Sequence, residues 1–176
     1  MINREEEFKK EAVINVAEKM CLAARTAPKA RGIDLLEIAV ISGGTIDKLS
    51  KKMKKIGDRE SHRTFIRDSE NLKSAQAIVL IGTKIKAIGQ KYCSYCGFSN
   101  CAEAEKAGAV CAYNTGDLGI AVGSAVSIAE DHRIDNRIMY SVGKAAIELD
   151  LLGPAVKIAY GIPLSVSGKN PFFDRK

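Results

Sequence analysis

Four of the five cysteines in this chain fall within one short segment, which reads CSYCGFSNCAEAEKAGAVC. They are Cys93, Cys96, Cys101 and Cys111, and their spacing is C-x2-C-x4-C-x9-C. Four thiolates that converge on one point select zinc or an iron–sulfur cluster over hard cations. The segment therefore predicts a metal or cluster site. Any fold of this chain then has to bring Cys93 and Cys111 close together.

The residues between the cysteines favour iron and sulfide over zinc. A zinc site with four cysteine ligands commonly pairs two C-x2-C turns, and here only Cys93 and Cys96 form such a pair. Cys101 precedes a helix-like run over residues 102–106. The amides at the N-terminal end of that run would face the sulfur atoms and stabilise an anionic cluster.

Three other interpretations of these cysteines stay open. A four-cysteine zinc site is the main structural alternative. Buried thiols also act as small apolar side chains, although the concentration of four of them in one segment argues against that role. Two disulfides would suit an exported protein, but nothing in the chain indicates export.

The length and the N-terminus set further bounds. With 176 residues the chain can form one domain with a sizeable core, so we expect a single domain over 1–176 that contains the cysteine-rich segment 93–111. The first residues, MINREEEFKKEAV, mix acidic and basic side chains where an export signal needs an apolar stretch. No run approaches the roughly 18 apolar residues of a membrane span. We therefore expect a cytoplasmic protein with no membrane partner, in a compartment that keeps thiols reduced.

The net charge of +6 raises the question of a nucleic-acid partner. Much of the excess comes from five lysines between residues 48 and 55, which alternate at helical spacing with the apolar residues Ile46, Leu49, Met53 and Ile56. This pattern is typical of a helix with one buried and one solvated face. Because no nucleic-acid-binding motif accompanies it, we expect no nucleic-acid partner.

Hydrophobic periodicity predicts alternating helices and short strands. The predicted helices cover residues 3–27, 45–56, 61–74, 117–130 and 136–149, and Asn3 is the expected N-cap of the first. The predicted strands cover residues 35–42, 77–81 and 155–160, and the apolar run 77–81 should be buried on both faces. The aromatic tail around Phe172 should dock. The expected fold class is α/β or α+β: a layered domain with helices packed on a small central sheet.

Several ordered motifs carry a resemblance along nearly the whole chain. They are CSYCGF at 93–98 with Cys101 and Cys111, DLGIA at 117–121, DNRIMY at 135–140, GIPLS at 161–165 and FFDR at 172–175. With these motifs the chain resembles a family of uncharacterised prokaryotic proteins that contain a ferredoxin-like domain. The segment CSYCGFSNC followed by Ala102-Glu103-Ala104 also looks like the [4Fe–4S] motif of certain anaerobic electron-transfer and corrinoid proteins. Here Cys111 follows Cys101 sooner than in those proteins.

A second resemblance is to the flavin-dependent nitroreductase fold. It rests on Arg25-Thr26-Ala27-Pro28 after the first helix, on the helix that begins near Asn136, on Gly161-Ile162-Pro163, and on the late basic residues Lys169 and Arg175. The resemblance implies a homodimer and an FMN whose phosphate is held by Arg25, Lys169 and Arg175. The chain departs from that family in lacking an aromatic residue after Pro28 and clear polar contacts to a flavin ring.

Together these features predict an iron–sulfur redox protein. One [4Fe–4S] cluster would exchange electrons with a redox partner protein or a small-molecule acceptor, and a flavin-linked oxidoreductase is an extension of this prediction. No side chain stands out as an acid, base or nucleophile, so no catalytic residue is predicted. The alternative from another class is a zinc-stabilised, non-enzymatic binding or assembly protein.

Overall fold

A computed structural model of the protein describes residues 1–173. Within that range, six α-helices and four strands follow one another in the order α1 (Glu5–Thr26), β1 (Leu36–Ser42), α2 (Gly44–Arg59), α3 (Arg63–Asn71), β2 (Ala77–Lys84), α4 (Cys101–Lys106), α5 (Ala112–Asp131), β3 (Asp135–Asn136), α6 (Tyr140–Glu148) and β4 (Val156–Ser165). Short 3-10 turns lie at Ala30–Gly32 and Leu72–Ser74.

The four strands form one antiparallel sheet in the order β1-β2-β4-β3. Strand β2 lies inside the sheet, where Val79 is opposite Val40 of β1 on one side and opposite Ile162 of β4 on the other. Both neighbours therefore satisfy the backbone hydrogen bonds of β2, as a buried strand requires. The predicted combination of helices with a small central sheet is confirmed.

Helices cover both faces of this sheet, and the alternation of side chains along β2 explains how. Ala77, Val79 and Ile81 pack into a core with α1 and α5, whereas Ile78 and Leu80 pack into a second core with α2, α3 and α6. Each of these five strand residues has no exposed surface. Because successive side chains of a strand point to opposite faces, the uninterrupted apolar run AIVLI supplies both cores.

Most predicted elements are confirmed to within a few residues. The lysine-rich helix α2 buries Ile46, Leu49, Met53 and Ile56, as its amphipathic pattern predicts. The tail also docks as expected: Phe172 is fully buried in the core with α2 and α6. Arg137 and Asn71 donate hydrogen bonds to its carbonyl oxygen. No helix within residues 1–173 has the length and apolar character needed to cross a lipid bilayer.

Two predicted helix starts are wrong for identifiable reasons. The N-cap of α1 is Arg4 and not Asn3, and its side chain makes no capping hydrogen bond. The helix expected to begin at Asn136 begins at Tyr140, because residues 135 and 136 pair with β4 and the backbone of Met139 bridges to Gly161. Pairing with a neighbouring strand thus overrides the local helical periodicity of that segment.

Helix α6 approaches strand β4 unusually closely at one position. A Cβ atom built on Gly143 would lie 1.8 Å from the carbonyl oxygen of Ala159, which is a backbone atom. At Gly123, in the middle of α5, an added Cβ would meet no atom within 4 Å. Gly143 is therefore required by packing, whereas Gly123 is not.

We predict that Gly143→Ala lowers the free energy of unfolding by about 3 kcal/mol, because the helix must move away from β4 to accommodate the methyl group. The matched variant Gly123→Ala should raise that free energy by about 0.5–1 kcal/mol, since alanine is the better helix former. Urea unfolding followed by circular dichroism measures both values. Equal stability of the two variants would show that α6 does not lie against β4 in this way.

Candidate cluster-binding site

The cysteine-rich segment leaves the sheet at the end of β2 and returns at the start of α5. Hydrogen bonds fix the residues that precede Cys93. The backbone N–H of Lys86 donates to Oδ1 of Asn114, in the first turn of α5, at 3.0 Å. Nη1 of Arg31 donates to the carbonyl oxygens of Ile88 and Gly89 at 3.1 and 3.2 Å. The segment is thus tied to two separate parts of the chain before the first cysteine.

The turn that contains Arg31 is itself held against α5. Both carboxylate oxygens of Asp117 accept a hydrogen bond from the backbone N–H of Ala30, each at 3.1 Å. Arg31 has the left-handed backbone angle φ = 55°, which is uncommon for a residue with a side chain. A network that spans three segments therefore joins the end of β2, the turn after α1 and the first turns of α5.

All four predicted ligands line a single cavity of about 350 Å³. Each of these cysteines is half-buried and carries a free thiol. The other lining residues belong to the same segment and to the start of α5; they are Ile88, Gly89, Gln90, Lys91, Tyr92, Ser94, Phe98, Ser99, Asn100, Ala102, Ala112 and Tyr113. The fold thus brings Cys93, Cys96, Cys101 and Cys111 to the same place, although eighteen positions separate the first from the last.

The cavity is larger than a closed site for a single metal ion, and its cysteines are less closely gathered than the ligands of such a site. A tetrahedral zinc with bonds of about 2.3 Å holds its sulfur ligands within about 4 Å of one another. Within residues 1–173, no three Cys, His, Asp or Glu side chains are gathered closely enough to hold one metal ion. The volume of about 350 Å³ lies in the range of small-molecule and cofactor pockets, which begins near 300 Å³.

The turn between Cys93 and Cys96 has a tightly wound backbone. Tyr92 and Ser94 both have left-handed angles, with φ of 53° and 50°. The carbonyl oxygen of Ser94 accepts a hydrogen bond from the N–H of Gly97 at 2.9 Å, which closes the turn around Cys96. Unusual backbone angles of this kind cluster at functional sites, where surrounding structure maintains them.

Two tyrosines stand beside the cysteines. Their rings, those of Tyr95 and Tyr113, lie 6.0 Å apart with an angle of 30° between their planes. Burial raises the pKa of the Tyr113 hydroxyl, and nearby negative charge on Cys93 and Tyr95 raises it further. Tyr113 is thus a neighbour of the Cys93 sulfur that the cysteine pattern alone did not identify. Nothing in the sequence around Tyr113, at the start of α5, indicates that its side chain lies near the cysteines.

Helix α4 begins at Cys101, but its amides are only partly available to the sulfur atoms. The side chain of Asn100 accepts a hydrogen bond from the N–H of Glu103 at 3.0 Å, and its backbone carbonyl accepts one from Ala104. The expectation that the helix amides face the sulfurs is therefore wrong for Glu103 and Ala104. Asn100 is the N-cap residue that the sequence pattern missed.

The predicted flavin residues occupy a different part of the chain from the cysteines. Arg25 donates to the carboxylate of Asp34 at 2.7 Å and to the carbonyl oxygen of Leu36 at 3.1 Å, so it joins the end of α1 to β1. Partial burial acts to raise the pKa of the Asp34 carboxyl. The hydrogen bonds from Arg25 and the Leu36 amide, together with the nearby positive charges, have the larger combined effect, so the pKa is lowered. The carbonyl oxygen of Lys169 accepts a hydrogen bond from Ser167. Arg175 lies outside the described residues.

The fifth cysteine is separate from this cavity. Cys21, in α1, packs against the core that α1 and α5 share. Burial, followed by the charge of Glu18, raises the pKa of its thiol to about 11.

Comparison with known proteins identifies the family. The profile of a family described as "Uncharacterized protein containing a ferredoxin domain (DUF2148)" matches residues 107–175. A protein of Archaeoglobus fulgidus, itself described as uncharacterized, is 40% identical over 183 residues, an alignment that covers 99% of this chain and 98% of that protein. The chain belongs to this family. The profile match contains Cys111 alone among the four clustered cysteines, whereas the alignment with the archaeal protein spans the whole cysteine-rich segment.

Comparison with solved structures shows that this chain has the nitroreductase fold. Nitroreductase A from Vibrio parahaemolyticus matches with a TM-score of 0.56 at 14% identity, over 92% of this chain. The alignment spans only 61% of the nitroreductase A chain. A BluB-like flavoprotein from Clostridium difficile matches with a TM-score of 0.57 at 20% identity, over 89% of this chain and 81% of that one. At such identities the likeness establishes the fold, and the predicted nitroreductase-like architecture is confirmed.

We predict that Cys21 reacts with iodoacetamide at pH 8 at least about a hundredfold more slowly in the folded protein than in the protein unfolded by urea. A thiol pKa of about 11, in place of the ordinary 9.0, lowers the reactive thiolate fraction about a hundredfold at that pH. Peptide mass spectrometry of timed samples gives the rate at this one residue. Equal rates in the folded and unfolded protein would contradict the buried position of Cys21.

Proposed function

We propose that this protein is an iron–sulfur redox protein in which Cys93, Cys96, Cys101 and Cys111 hold one [4Fe–4S] cluster. The observation that carries the proposal is the single cavity lined by all four cysteines. The family description, which names a ferredoxin domain, points to the same chemistry. A cluster of this type supplies one-electron transfer when bound.

The residues around the cavity fit such a guest. Thiolates are the ligands that iron–sulfur clusters use, and four of them match the usual number. Each ligand of a cubane cluster binds a different iron, so the thiolates stand further apart than around a single ion. A cavity of about 350 Å³ has room for a guest much larger than one ion.

Neighbouring side chains would control the potential and the access of solvent. Hydrogen bonds to sulfur and exposure to water are the main protein contributions to the reduction potential of a cluster. Tyr113 lies beside Cys93 and is placed to make such a contact.

Free thiols and a cluster are both favoured by a reducing compartment, so we infer a cytoplasmic location.

We expect protein purified without oxygen to contain four irons and four sulfides per chain and to absorb visible light as a brown cluster protein. Replacing any one of the four clustered cysteines with alanine should remove at least half of the iron, because a missing ligand exposes one corner of the cluster. The matched variant Cys21→Ala should keep the full iron content, since Cys21 packs in the core away from the cavity.

Metal and acid-labile sulfide analysis separates this proposal from the zinc alternative. Colourless protein that holds one zinc and no sulfide after anaerobic preparation would replace it with a structural zinc site. Loss of iron from Cys21→Ala alone would show that the cavity is not the binding site.

A second candidate function, a flavin-linked oxidoreductase, is favoured by the fold. A nitroreductase-like protein from Desulfovibrio desulfuricans, solved in complex with FMN, matches with a TM-score of 0.59 over 92% of this chain and 78% of its own. Of the residues predicted to hold the FMN phosphate, Arg25 already pairs with Asp34 and the Leu36 carbonyl. Flavin binding by Arg25 would therefore require its remaining donors or the release of Asp34.

If FMN binds at Arg25, titration of FMN with the protein should quench flavin fluorescence, and Arg25→Gln should weaken binding about tenfold or more through the loss of a charge-assisted contact to phosphate. Asp34→Asn is the informative control, because it frees Arg25 and should leave binding equal or tighter. Binding that is unchanged in Arg25→Gln would assign Arg25 to a structural role between α1 and β1.

A further inference from the structure

Tyr92 and Tyr95, at the cysteine cavity, both expose their side chains to solvent. Tyr92, which lines the cavity, is 105% exposed, and Tyr95, which contacts the cavity-lining Tyr113, is 76% exposed. Large apolar rings gain free energy when they leave water, so an isolated chain has no reason to present two of them together at one place. Tyrosine is also among the residues enriched at protein interfaces and at their energetic centres.

The backbone holds these rings outward. Tyr92 has the left-handed angle φ = 53° and Ser94 has φ = 50°, conformations that are uncommon for residues with side chains. Arg31 anchors the preceding residues through the carbonyl oxygens of Ile88 and Gly89. The exposed rings therefore belong to an anchored turn with a defined backbone.

Two lysines that precede Tyr92 in the sequence lack carboxylate partners within the described residues. Lys91 lines the cavity, and the exposed Lys86 is fixed by its backbone to the start of α5. Neither lysine forms an ion pair within the described part of the chain, whereas Lys84 is neutralised by Glu37 at 2.6 Å. The nearest carboxylates in the sequence, Glu103 and Glu105, are carried on α4, and neither lines the cavity.

We propose that Tyr92 and Tyr95, flanked by Lys86 and Lys91, form the docking surface for an acidic one-electron carrier protein. This inference rests on the proposed cluster and names the partner of that same site. The lysines steer an acidic surface toward the cavity, and the tyrosines supply the central contacts of a small interface. Electron-transfer complexes are typically of this small, transient kind.

The transfer step is a simple exchange between two centres. The reduced carrier would lose one electron, and a cluster held by Cys93, Cys96, Cys101 and Cys111 would gain it, with no bond formed or broken. Because Lys91 and Tyr92 line the cavity, a carrier docked on them would lie next to a cluster held there.

Stopped-flow reduction of the cluster-loaded protein tests the proposal, with reduced acidic plant-type [2Fe–2S] ferredoxin as one reductant and dithionite as the other. In the double variant Tyr92→Ser/Tyr95→Ser, the ratio of the ferredoxin rate to the dithionite rate should fall about tenfold below that of the original protein. The same result is expected for Lys86→Glu/Lys91→Glu, whose effect should diminish as salt is raised. The matched charge control is Lys51→Glu/Lys55→Glu, on the exposed face of α2, which should leave the ferredoxin rate unchanged.

Each other outcome overturns the inference in a distinguishable way. Unchanged ferredoxin rates in both double variants, or a cluster that only dithionite reduces, would show that this surface is not a carrier-docking site. A dimer of the original protein that becomes a monomer in Tyr92→Ser/Tyr95→Ser, measured by light scattering, would assign the surface to a second copy of the chain. Protein without iron and sulfide would instead contradict the proposed function itself.

Discussion

The burial of strand β2 from Ala77 to Thr83 is the constraint on which the rest of the structure depends. Its apolar side chains supply the cores on both faces of the sheet, so the strand cannot shift by one residue without exchanging the two sets. The register of β2 in turn fixes where the chain leaves the sheet after Lys84. Helix α5 packs on the same sheet, and its first turn receives the Lys86 amide through Asn114. The position of the cysteine cavity is therefore a consequence of core packing.

Between that rigid framework and the cavity stands a small polar network. Asp117 holds the Ala30 amide, and Arg31 of the same turn holds two carbonyl oxygens that precede Cys93. These are hydrogen bonds with an ionised group on one side, the stronger class, and the Asp117 side of the network is largely buried. The network fixes the backbone of the residues between β2 and Cys93. These residues form one side of the cavity. Proteins that bind redox cofactors depend on such fixed positions.

The sequence allowed the cores to be predicted better than the surroundings of the site. The run AIVLI in β2 and the amphipathic α2 have strong patterns, because burial on two faces and on one face leaves distinct signatures. The close spacing of the four cysteines predicted that they meet, and the fold places all of them in the lining of one cavity. Strand β3 and the late start of α6 could not be predicted, since pairing with β4 is a long-range contact. Tyr113 and Arg31 were missed for the same reason: their significance comes from residues distant in the sequence.

One consequence follows from how the cysteine-rich segment is attached. Hydrogen bonds anchor it before Cys93 and at the start of α5, while α4 and the turn around Gly108, which has φ = 66°, connect Cys101 to Cys111. Residues inserted or deleted in that connection would change the reach of the last thiol without disturbing either core. The length of this connection therefore sets how far the Cys111 thiol can reach into the cavity, independently of the scaffold.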